Sequence, residues 1–405
     1  MPEEIDVERA RTISFQVSRV FTPSTPINDH TLFAGRLAEV AQVVDAVNEP
    51  GRHAIVFGER GVGKTSLSNV LATYLGSYVI SRRIGCDVGD SFDSVWKKAF
   101  TEFQVQDAGK IGGFAEPSLP PRIDSTEDII SPDVVRRQLI RWSKDTHPII
   151  IIDEFDRIDD RYRTIFADTI KTLSDGNINA TVVFVGVAEN VEQLISEHQS
   201  TERALAQIKM PRMSEAEIKE IITTGVDRLG MEIEPLALSR IAKLAQGLPH
   251  YAHLLGFHAC RSALARRWLL INLDILDDGI KDALNGVQQS IRSAWQKATL
   301  SPRKDNLFGQ VLLSCALAPV DEMGTFASQD VRTPLRMVTG KPYDIPAFAQ
   351  HLNEFSEVKR GNVLKKIGGS RRFRYHFTNP LMPPYLIMRG FAEGKVTTLL
   401  LDQLS

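Results

Sequence analysis

The segment from His53 to Ser66, HAIVFGERGVGKTS, constrains the fold of this chain more than any other part of it. It joins an apolar run, Ala54–Phe57, to the glycine-rich sequence Gly58-x4-Gly63-Lys64-Thr65, and a helical pattern of apolar residues follows. A strand, a glycine-rich loop and a helix in this order predict a P-loop. Taken alone, the loop could also be an accidental glycine-rich turn.

The residue types of this loop suit a polyphosphate ligand. Glycines let the backbone N–H groups turn toward phosphate oxygens, and the helix N-terminus adds partial positive charge. Lys64 is predicted to reach the β- and γ-phosphates, and the Thr65 hydroxyl to bind Mg²⁺. The predicted nucleotide-binding residues of the loop are Gly58, Glu59, Arg60, Gly61, Val62, Gly63, Lys64, Thr65 and Ser66.

A second motif supplies the carboxylates that such a loop requires. The apolar run Pro148–Ile152 predicts a buried strand, and it ends in Asp153 and Glu154. Asp153 is the predicted Mg²⁺ ligand, and Glu154 is the predicted catalytic base that polarises the attacking water. A buried strand with solvated acids at its tip is the alternative. Together the two motifs predict a site for a nucleoside triphosphate and Mg²⁺.

Length and composition bound the class of protein. At 405 residues, two or three domains are expected, and 43% hydrophobic with 24% charged residues is typical of a soluble globular protein. No apolar run is long enough to span a bilayer, and residues 1–11 do not resemble a signal peptide. A cytoplasmic location and no membrane partner are therefore expected. Three widely spaced cysteines, Cys86, Cys260 and Cys315, suit a reducing compartment and no metal site.

The residues before the P-loop strand carry a family resemblance. Leu32–Arg36 contains a Phe-x-Gly-Arg turn, and Glu39–Val47 is apolar at helical spacing. This turn, helix and P-loop strand resemble the AAA+ ATPases, particularly their origin-recognition-like and STAND-like branch. The resemblance implies ATP as the nucleotide, ATP hydrolysis, and a position for Phe33 and Arg36 beside the base or ribose. A plain turn at a helix N-terminus is the alternative.

The same resemblance implies two further catalytic residues. Asn190 follows the apolar run Thr181–Val187 and is the candidate that senses the γ-phosphate, although it could simply cap a helix. Arg203 precedes another apolar segment and is the candidate arginine finger, with Arg212 in reserve. An arginine finger would act on a neighbouring subunit, in a homo-oligomer assembled by ATP. A surface ion pair is the alternative for Arg203.

A helical segment after residue 213 resembles the AAA+ lid. Within it, Gly247-Leu-Pro249-His250 resembles the Gly-x-Pro turn of STAND ATPases, whose proline packs on adenine. The lid arginine of many AAA+ proteins is missing at this point, which puts a conventional second sensor in doubt. Pro249 and His250 are the candidate nucleotide contacts here, and a structural histidine is the alternative for His250.

The C-terminal hundred residues have the order of a winged helix, with three helical patterns followed by a β-hairpin at 363–377. Seven Lys or Arg and no acid lie between Lys359 and His376. A DNA-binding surface is one interpretation of this basic segment, and a protein-docking wing or a solvated hairpin face are the others. The candidate DNA-binding residues are Lys365, Lys366, Arg371, Arg372 and Arg374.

The predicted fold is α/β: a P-loop parallel sheet with helices on both faces, a helical lid and a C-terminal winged-helix domain. The predicted domains are an N-terminal arm or lead-in strand (1–29), an AAA+ core (30–212), a lid with linker (213–300) and the winged helix (301–405). A Gly- and Pro-rich loop is inserted at 104–130. Two functions stay open, an ATPase whose nucleotide state gates DNA binding by the winged helix, and a STAND-like protein switch in signalling or defence.

Overall fold

The computed structural model describes residues 4–27, 35–75, 79–107, 129–144, 146–188, 190–195, 199–303, 306–321, 324–369 and 373–404. Phe33, Arg371, Arg372 and most of the predicted 104–130 loop lie outside these ranges. The chain divides into two compact units, Pro26–Pro211 and Met1–Thr25 with Arg212–Ser405. The predicted domain boundaries at 212 and 300 are expectations that this division does not test.

The N-terminal segment differs from the predicted arm or strand, because it contains the helix α1, Val7–Val20. Asp6 caps the helix by accepting from the Arg9 N–H, and its buried residues recur every three or four positions. The Phe21 ring, which follows α1, packs where a side chain on Gly225 or Gly256 would clash with it. The apolar spacing of residues 10–20 therefore indicates a helix, and Pro23 and Pro26 lie beyond its end.

The unit Pro26–Pro211 is built on a five-stranded parallel sheet of order β2-β3-β4-β1-β5. Its strands are β1 His53–Gly58, β2 Val79–Gly85, β3 His147–Asp153, β4 Thr181–Val187 and β5 Leu205–Lys209, and its helices are α2 Leu37–Asn48, α3 Lys64–Tyr74, α4 Phe92–Asp107, α5 Pro132–Trp142, α6 Arg163–Asp175 and α7 Gln199–Ala204. Every residue of β1 and β3 is buried, as expected for a parallel sheet covered on both faces.

Strand alternation separates the two faces of this sheet. Ile150 and Ile152, which alternate with Ile151 along β3, join the core formed with α4, α5 and α6. Helices α2 and α3, which precede and follow β1 in the chain, also contact the sheet. The parallel sheet with flanking helices confirms the predicted fold class. Because the strands are parallel, the carboxyl ends of β1 and β3 lie at the same edge of the sheet. They are separated there by β4.

After Arg212 the second unit continues with helices. These are α8 Glu215–Arg228, α9 Pro235–Ala245, α10 Pro249–Ala265, α11 Leu273–Gly286 and α12 Gln289–Thr299, with the short parallel strands β6 Glu232–Ile233 and β7 Leu270–Ile271. A capping box starts α8, since Ser214 and Glu217 bond reciprocally. Helix α10 is buried on most sides and packs against α1, α8, α9 and α11.

The C-terminal part alternates helices and short strands: α13 Phe308–Ala316, β8 Phe326–Ala327, α14 Arg332–Thr339, α15 Ile345–Phe355, β9 Leu364–Ile367, β10 Arg374–Phe377, α16 Met382–Ala392 and α17 Thr398–Leu404. The three strands form an antiparallel sheet of order β8-β10-β9. The two hairpin strands lie where the sequence predicts them, but β8 was not predicted, because a two-residue strand has no recognisable pattern. Among the described helices, none is long and apolar enough to cross a membrane.

Candidate nucleotide-binding site

The glycine-rich loop leaves β1 at the carboxyl edge of the sheet and ends where α3 begins at Lys64. A Cβ on Gly58 would lie 2.4 Å from the Met210 carbonyl oxygen, so a larger residue cannot occupy this position. Gly63 has φ 97°, a left-handed conformation that glycine adopts without strain. The predicted P-loop geometry therefore depends on the glycines at both ends of the loop.

Lys64 is a buried cation at the first residue of α3. Its Nζ donates to the carbonyl oxygens of Gly58 and Glu59, at 2.9 and 2.7 Å, inside the loop. Burial lowers the pKa of Lys64 to about 8, against the opposing attraction of Asp156 and Asp153. The ammonium group thus lies within the loop, near the carboxylates that follow β3.

Asp153 is the last residue of β3, and its side chain is 3% exposed. One carboxylate oxygen, Oδ1, accepts from the Glu154 N–H at 2.8 Å. The other, Oδ2, accepts from Arg83 Nη2 at 2.8 Å and Nε at 3.0 Å. Sequence reasoning missed Arg83, because only the register of β2 against β3 brings it to Asp153.

Glu154, the candidate base, has a left-handed backbone conformation with φ 56°, which is uncommon for a residue other than glycine. Its carboxylate is half-exposed and pairs with Arg157 at 3.2 Å. A short turn of 3₁₀-helix, Phe155–Arg157, follows it. The strand therefore ends in a buried carboxylate followed at once by a solvent-accessible one, as a metal ligand and a general base would require.

Asp156 is a third acid at this edge, and the sequence analysis did not select it. Its Oδ1 accepts from the Val187 N–H at 2.7 Å, which joins the turn after β3 to the end of β4. Among the neighbouring charges, Asp156 raises the pKa of Lys64 most, which partly offsets the effect of burial. The signal was available as the run Asp153-Glu-Phe-Asp156.

Arg36 has different surroundings from those that the base or ribose contact implies. Its guanidinium is buried, pairs with Glu39 at 2.8 Å, and donates to the carbonyl oxygens of Val62 and Pro211. The side chain therefore ties the turn before α2 to the P-loop and to the end of the unit. A contact with the base or ribose is not tested by these bonds and stays a prediction.

Two other predicted residues make local contacts, and a third is exposed. Ser66 Oγ accepts from the Ile27 N–H at 3.1 Å, so this hydroxyl anchors the preceding segment. Asn190 Oδ1 accepts from the Gln193 N–H at 3.2 Å, which is the capping alternative. Arg203 is exposed on α7, directly before β5, and its role toward a neighbouring subunit stays a prediction.

The side chains at this edge include oxygen donors that suit Mg²⁺. Thr65 is half-buried in the first turn of α3, and Asp153 offers a buried carboxylate at the end of β3. Hydroxyl and carboxylate oxygens are the ligands that Mg²⁺ prefers, together with nucleotide phosphates and water. The residues fit the ion, with Asp153 already bonded to Arg83.

In the second unit, the Gly-x-Pro turn is held by the segment that opens the unit. The Met213 N–H donates to the Gly247 carbonyl oxygen at 2.8 Å, and a Cβ on Gly247 would lie 2.5 Å from the Met213 oxygen. Pro249 is buried at the first position of α10, and His250 is half-buried with its ring edge-on to Tyr251. Their contact with adenine stays a prediction.

The basic segment carries more local partners than the sequence indicates. Arg374 pairs with Asp321 at 3.0 Å and bonds Thr325, while Lys366 lies over the Phe373 ring and bonds Asn353. Lys365 is exposed. The absence of acids within 359–376 is therefore offset by an acid from a distant part of the chain.

This geometry defines a class of protein. A phosphate-binding loop after β1, an acidic pair after β3 and an intervening β4 are the arrangement of a P-loop ATPase of the AAA+ type. The sequence profile of the family Novel STAND NTPase 1 matches residues 25–336, more than half of the 405-residue chain. The chain belongs to this family, within the branch that the sequence resemblance indicated.

One solved structure supports the fold. The Walker-type ATPase PABY2304 of Pyrococcus abyssi superposes with a TM-score of 0.57 at 14% identity, over 91% of this chain and 99% of that one. Cdc6p from Pyrobaculum aerophilum has a TM-score of 0.48 at 14% identity, covering 95% and 98% of the two chains. The Aeropyrum pernix ORC1 protein in complex with DNA has 0.45 at 15%, covering 93% and 97%. The comparison with curated proteins found no match.

Proposed function

We propose that this protein binds ATP with Mg²⁺, hydrolyses it, and acts as a STAND-type switch whose nucleotide state controls binding of a protein partner. The observation that carries the catalytic part is the position of the buried Lys64 near Asp153 and Asp156 at one edge of the sheet, with Glu154 next to Asp153 in the chain. Buried charges of opposite sign at a glycine-rich loop are costly to fold and suit a charged ligand.

Each residue has a proposed task in the reaction. Backbone N–H groups of the loop and Lys64 hold the phosphates, and Asp153 with Thr65 would hold Mg²⁺. When bound, Mg²⁺ supplies neutralisation of the phosphate charge. Glu154 orients the attacking water and accepts its proton. The tasks that the family resemblance implies for Phe33, Arg36, Asn190, Arg203, Pro249 and His250 remain proposals.

The C-terminal residues 301–405 are proposed to be a winged helix that docks protein. The order helix, strand, helix, helix, strand, strand with a β8-β10-β9 sheet supports this proposal. Helix α15 stands in the position of a recognition helix, yet it contains no Lys or Arg and carries Glu354. A helix of this composition gains little from a phosphate backbone, which favours a protein partner.

DNA binding is the second candidate for this domain, and the basic segment favours it. Lys365 and Lys366 are exposed on β9, and further cations follow in the sequence. Ion pairs at a surface are worth little and can exchange for phosphate contacts. Under this alternative, the nucleotide state would gate the contact of the winged helix with DNA.

The test of the catalytic proposal uses two substitutions. Lys64→Ala should abolish ATP binding, while Glu154→Gln should keep ATP affinity and lower turnover by roughly 100-fold or more, since a positioned base contributes about that factor. The control is Lys171→Ala, an exposed lysine on α6 of the same unit. ATP affinity is measured by calorimetry and turnover by phosphate release.

Normal ATP affinity in Lys64→Ala would contradict the assignment of the P-loop. Equal turnover in Glu154→Gln would remove Glu154 from hydrolysis and leave binding intact. Partner binding by the full chain, compared with ATP and with ADP in the Glu154→Gln variant, tests the switch. Equal binding in both nucleotides would overturn it.

A further inference from the structure

Arg83 lies on β2, at the edge of the five-stranded sheet. In the register of the parallel pair it is opposite Ile151, two residues before Asp153, so that Arg83 and Asp153 share a face of the sheet. Both Nη2 and Nε contact the same oxygen, Asp153 Oδ2, at 2.8 and 3.0 Å. A cation thus lies directly on the carboxylate that the proposed function assigns to Mg²⁺.

The two oxygens of Asp153 have different partners. Oδ1 is held by the Glu154 N–H, a backbone contact that is fixed by the turn after β3. Oδ2 is held by a side chain that is 38% exposed, on a long and flexible stem. Because the Asp153 side chain is only 3% exposed, Oδ2 has little contact with water and depends on Arg83 for its pairing.

The neighbouring arginine provides a contrast within the same strand. Arg82 points to the opposite face, where its Nε donates to the Glu102 carbonyl oxygen at 3.3 Å and its guanidinium lies over the Phe103 ring. Its contacts are with α4, on the face away from Asp153. The two arginines carry the same charge and lie on the same strand, but only Arg83 contacts the Asp153 carboxylate.

We propose that Arg83 competes with Mg²⁺ for Asp153, so that the metal engages this carboxylate only when the guanidinium moves off Oδ2. The inference rests on the proposed function, since it assumes that Asp153 serves Mg²⁺. A guanidinium and a divalent cation cannot share one carboxylate oxygen without strong repulsion. The Arg83 side chain is 38% exposed, which gives the guanidinium water to move into when it leaves Oδ2.

The consequence is a raised Mg²⁺ requirement. Free nucleotide can occupy the loop through the backbone N–H groups and Lys64 without displacing Arg83. Only nucleotide with Mg²⁺ separates the Arg83–Asp153 pair, so that the position of the Arg83 guanidinium reports the metal-bound state. Arg83 is a positioning residue in this scheme, since it acts through Asp153.

The experiment measures binding of a fluorescent, non-hydrolysable ATP analogue to the full chain as free Mg²⁺ is titrated. In Arg83→Ala, the Mg²⁺ concentration at half-maximal effect should fall about threefold to tenfold, the range expected for loss of a partly exposed ion pair. Arg83→Lys should give a smaller fall, because a lysine keeps the charge but not the two-nitrogen contact. Arg82→Ala is the matched control, and its midpoint should equal that of the wild type.

The direction of the shift decides between competition and support. An unchanged midpoint in Arg83→Ala overturns the inference, and so does a raised one, which would mean that Arg83 orients Asp153 for the metal. Binding of the analogue in EDTA and with Mg²⁺ distinguishes failure of the proposed function from failure of this inference alone. If the wild type binds the analogue neither in EDTA nor with Mg²⁺, the proposed function fails and the inference fails with it. If it binds with a Mg²⁺ response equal to that of both Arg83 variants, the inference alone fails.

Discussion

Two groups of basic side chains in this protein are candidates for binding anions, and their surroundings differ. The loop cations lie around the P-loop and are largely shielded from water, whereas the sheet cations lie on the C-terminal sheet and are mostly exposed. The loop cations are Arg36 and Lys64, and the sheet cations are Lys365, Lys366 and Arg374.

The difference lies in what each cation would lose. Arg36 and Lys64 donate to backbone carbonyl oxygens from buried positions, so their removal leaves unpaired groups without water. Arg374 and Lys366 have partners as well, but water and salt can replace them at the surface. A count of charges in the sequence treats both groups alike, and burial separates them.

The largest expected effect compares two arginine–glutamate pairs that flank α2. In Arg36–Glu39 the side chains are 1% and 12% exposed, and in Arg52–Glu49 they are 40% and 56% exposed. Arg36→Ala should lower the free energy of unfolding by about 3 kcal/mol, because it leaves a buried acid and two carbonyl groups unpaired. Arg52→Ala should lower it by less than about 1 kcal/mol.

Urea denaturation of the two variants, followed by circular dichroism, measures this difference. The residue types and the three-residue spacing are the same in both pairs, which lie at opposite ends of α2 and differ strongly in burial. Equal losses for Arg36→Ala and Arg52→Ala would break the comparison between buried and exposed cations at its strongest point.

Buried histidines should produce the next largest effect, and two of them, His53 and His253, lie in different units. Burial, helped by His147, lowers the pKa of His53 to about 3, and burial, helped by His250, lowers the pKa of His253 to about 4. Both are neutral when folded, while the unfolded chain binds protons below about pH 6.5. Stability should therefore fall as the pH drops from 6.5 toward 4, by about 2 kcal/mol per histidine at pH 5.

Asparagine variants test this pH dependence. Nδ1 of His53 accepts from the Val182 N–H, and Nδ1 of His253 accepts from the Thr22 N–H, and an amide oxygen can replace either acceptor. His53→Asn and His253→Asn should each flatten the fall in unfolding free energy between pH 7 and pH 5. Measurement at pH 8, where both histidines are neutral in either state, is the control. A slope unchanged in both variants would assign the acid sensitivity to other groups.

The same distinction explains what could be predicted from the sequence. The strand, loop and helix around Gly58–Thr65 and the strand that ends in Asp153 lie where the sequence predicts them, because these features depend on residues adjacent in the chain. Arg83 was missed, since its partner is set by the register of β2 against β3. The surroundings of Arg374 were missed for a similar reason, as Asp321 is more than fifty residues away in the chain.

The N-terminal helix adds a different kind of limit. Pro23 and Pro26 lie beyond the end of α1, and the burial of Phe21 against Gly225 and Gly256 could not be read from the chain. Glycines inside helices weaken a sequence-based prediction. Here they make room for an aromatic ring, and this packing stabilises the helical segment that precedes it.

The smallest expected effect concerns the sheet cations and separates the two candidate partners. Replacing both Lys365 and Lys366 with Ala should change the free energy of unfolding by less than about 0.5 kcal/mol, because surface substitutions away from buried groups are nearly neutral. If the domain docks protein, duplex DNA binding should be the same in this variant and in the wild type at any salt concentration. If it binds DNA, each lysine that contacts a phosphate should change the slope of log affinity against log salt by about 0.9. Lys395→Ala, an exposed lysine of the same unit, is the control for net charge. A change of slope confined to the double variant would favour DNA over a protein partner. It would mean that the exposed cations, which salt screens, contribute through their number, whereas the buried cations contribute through their individual partners.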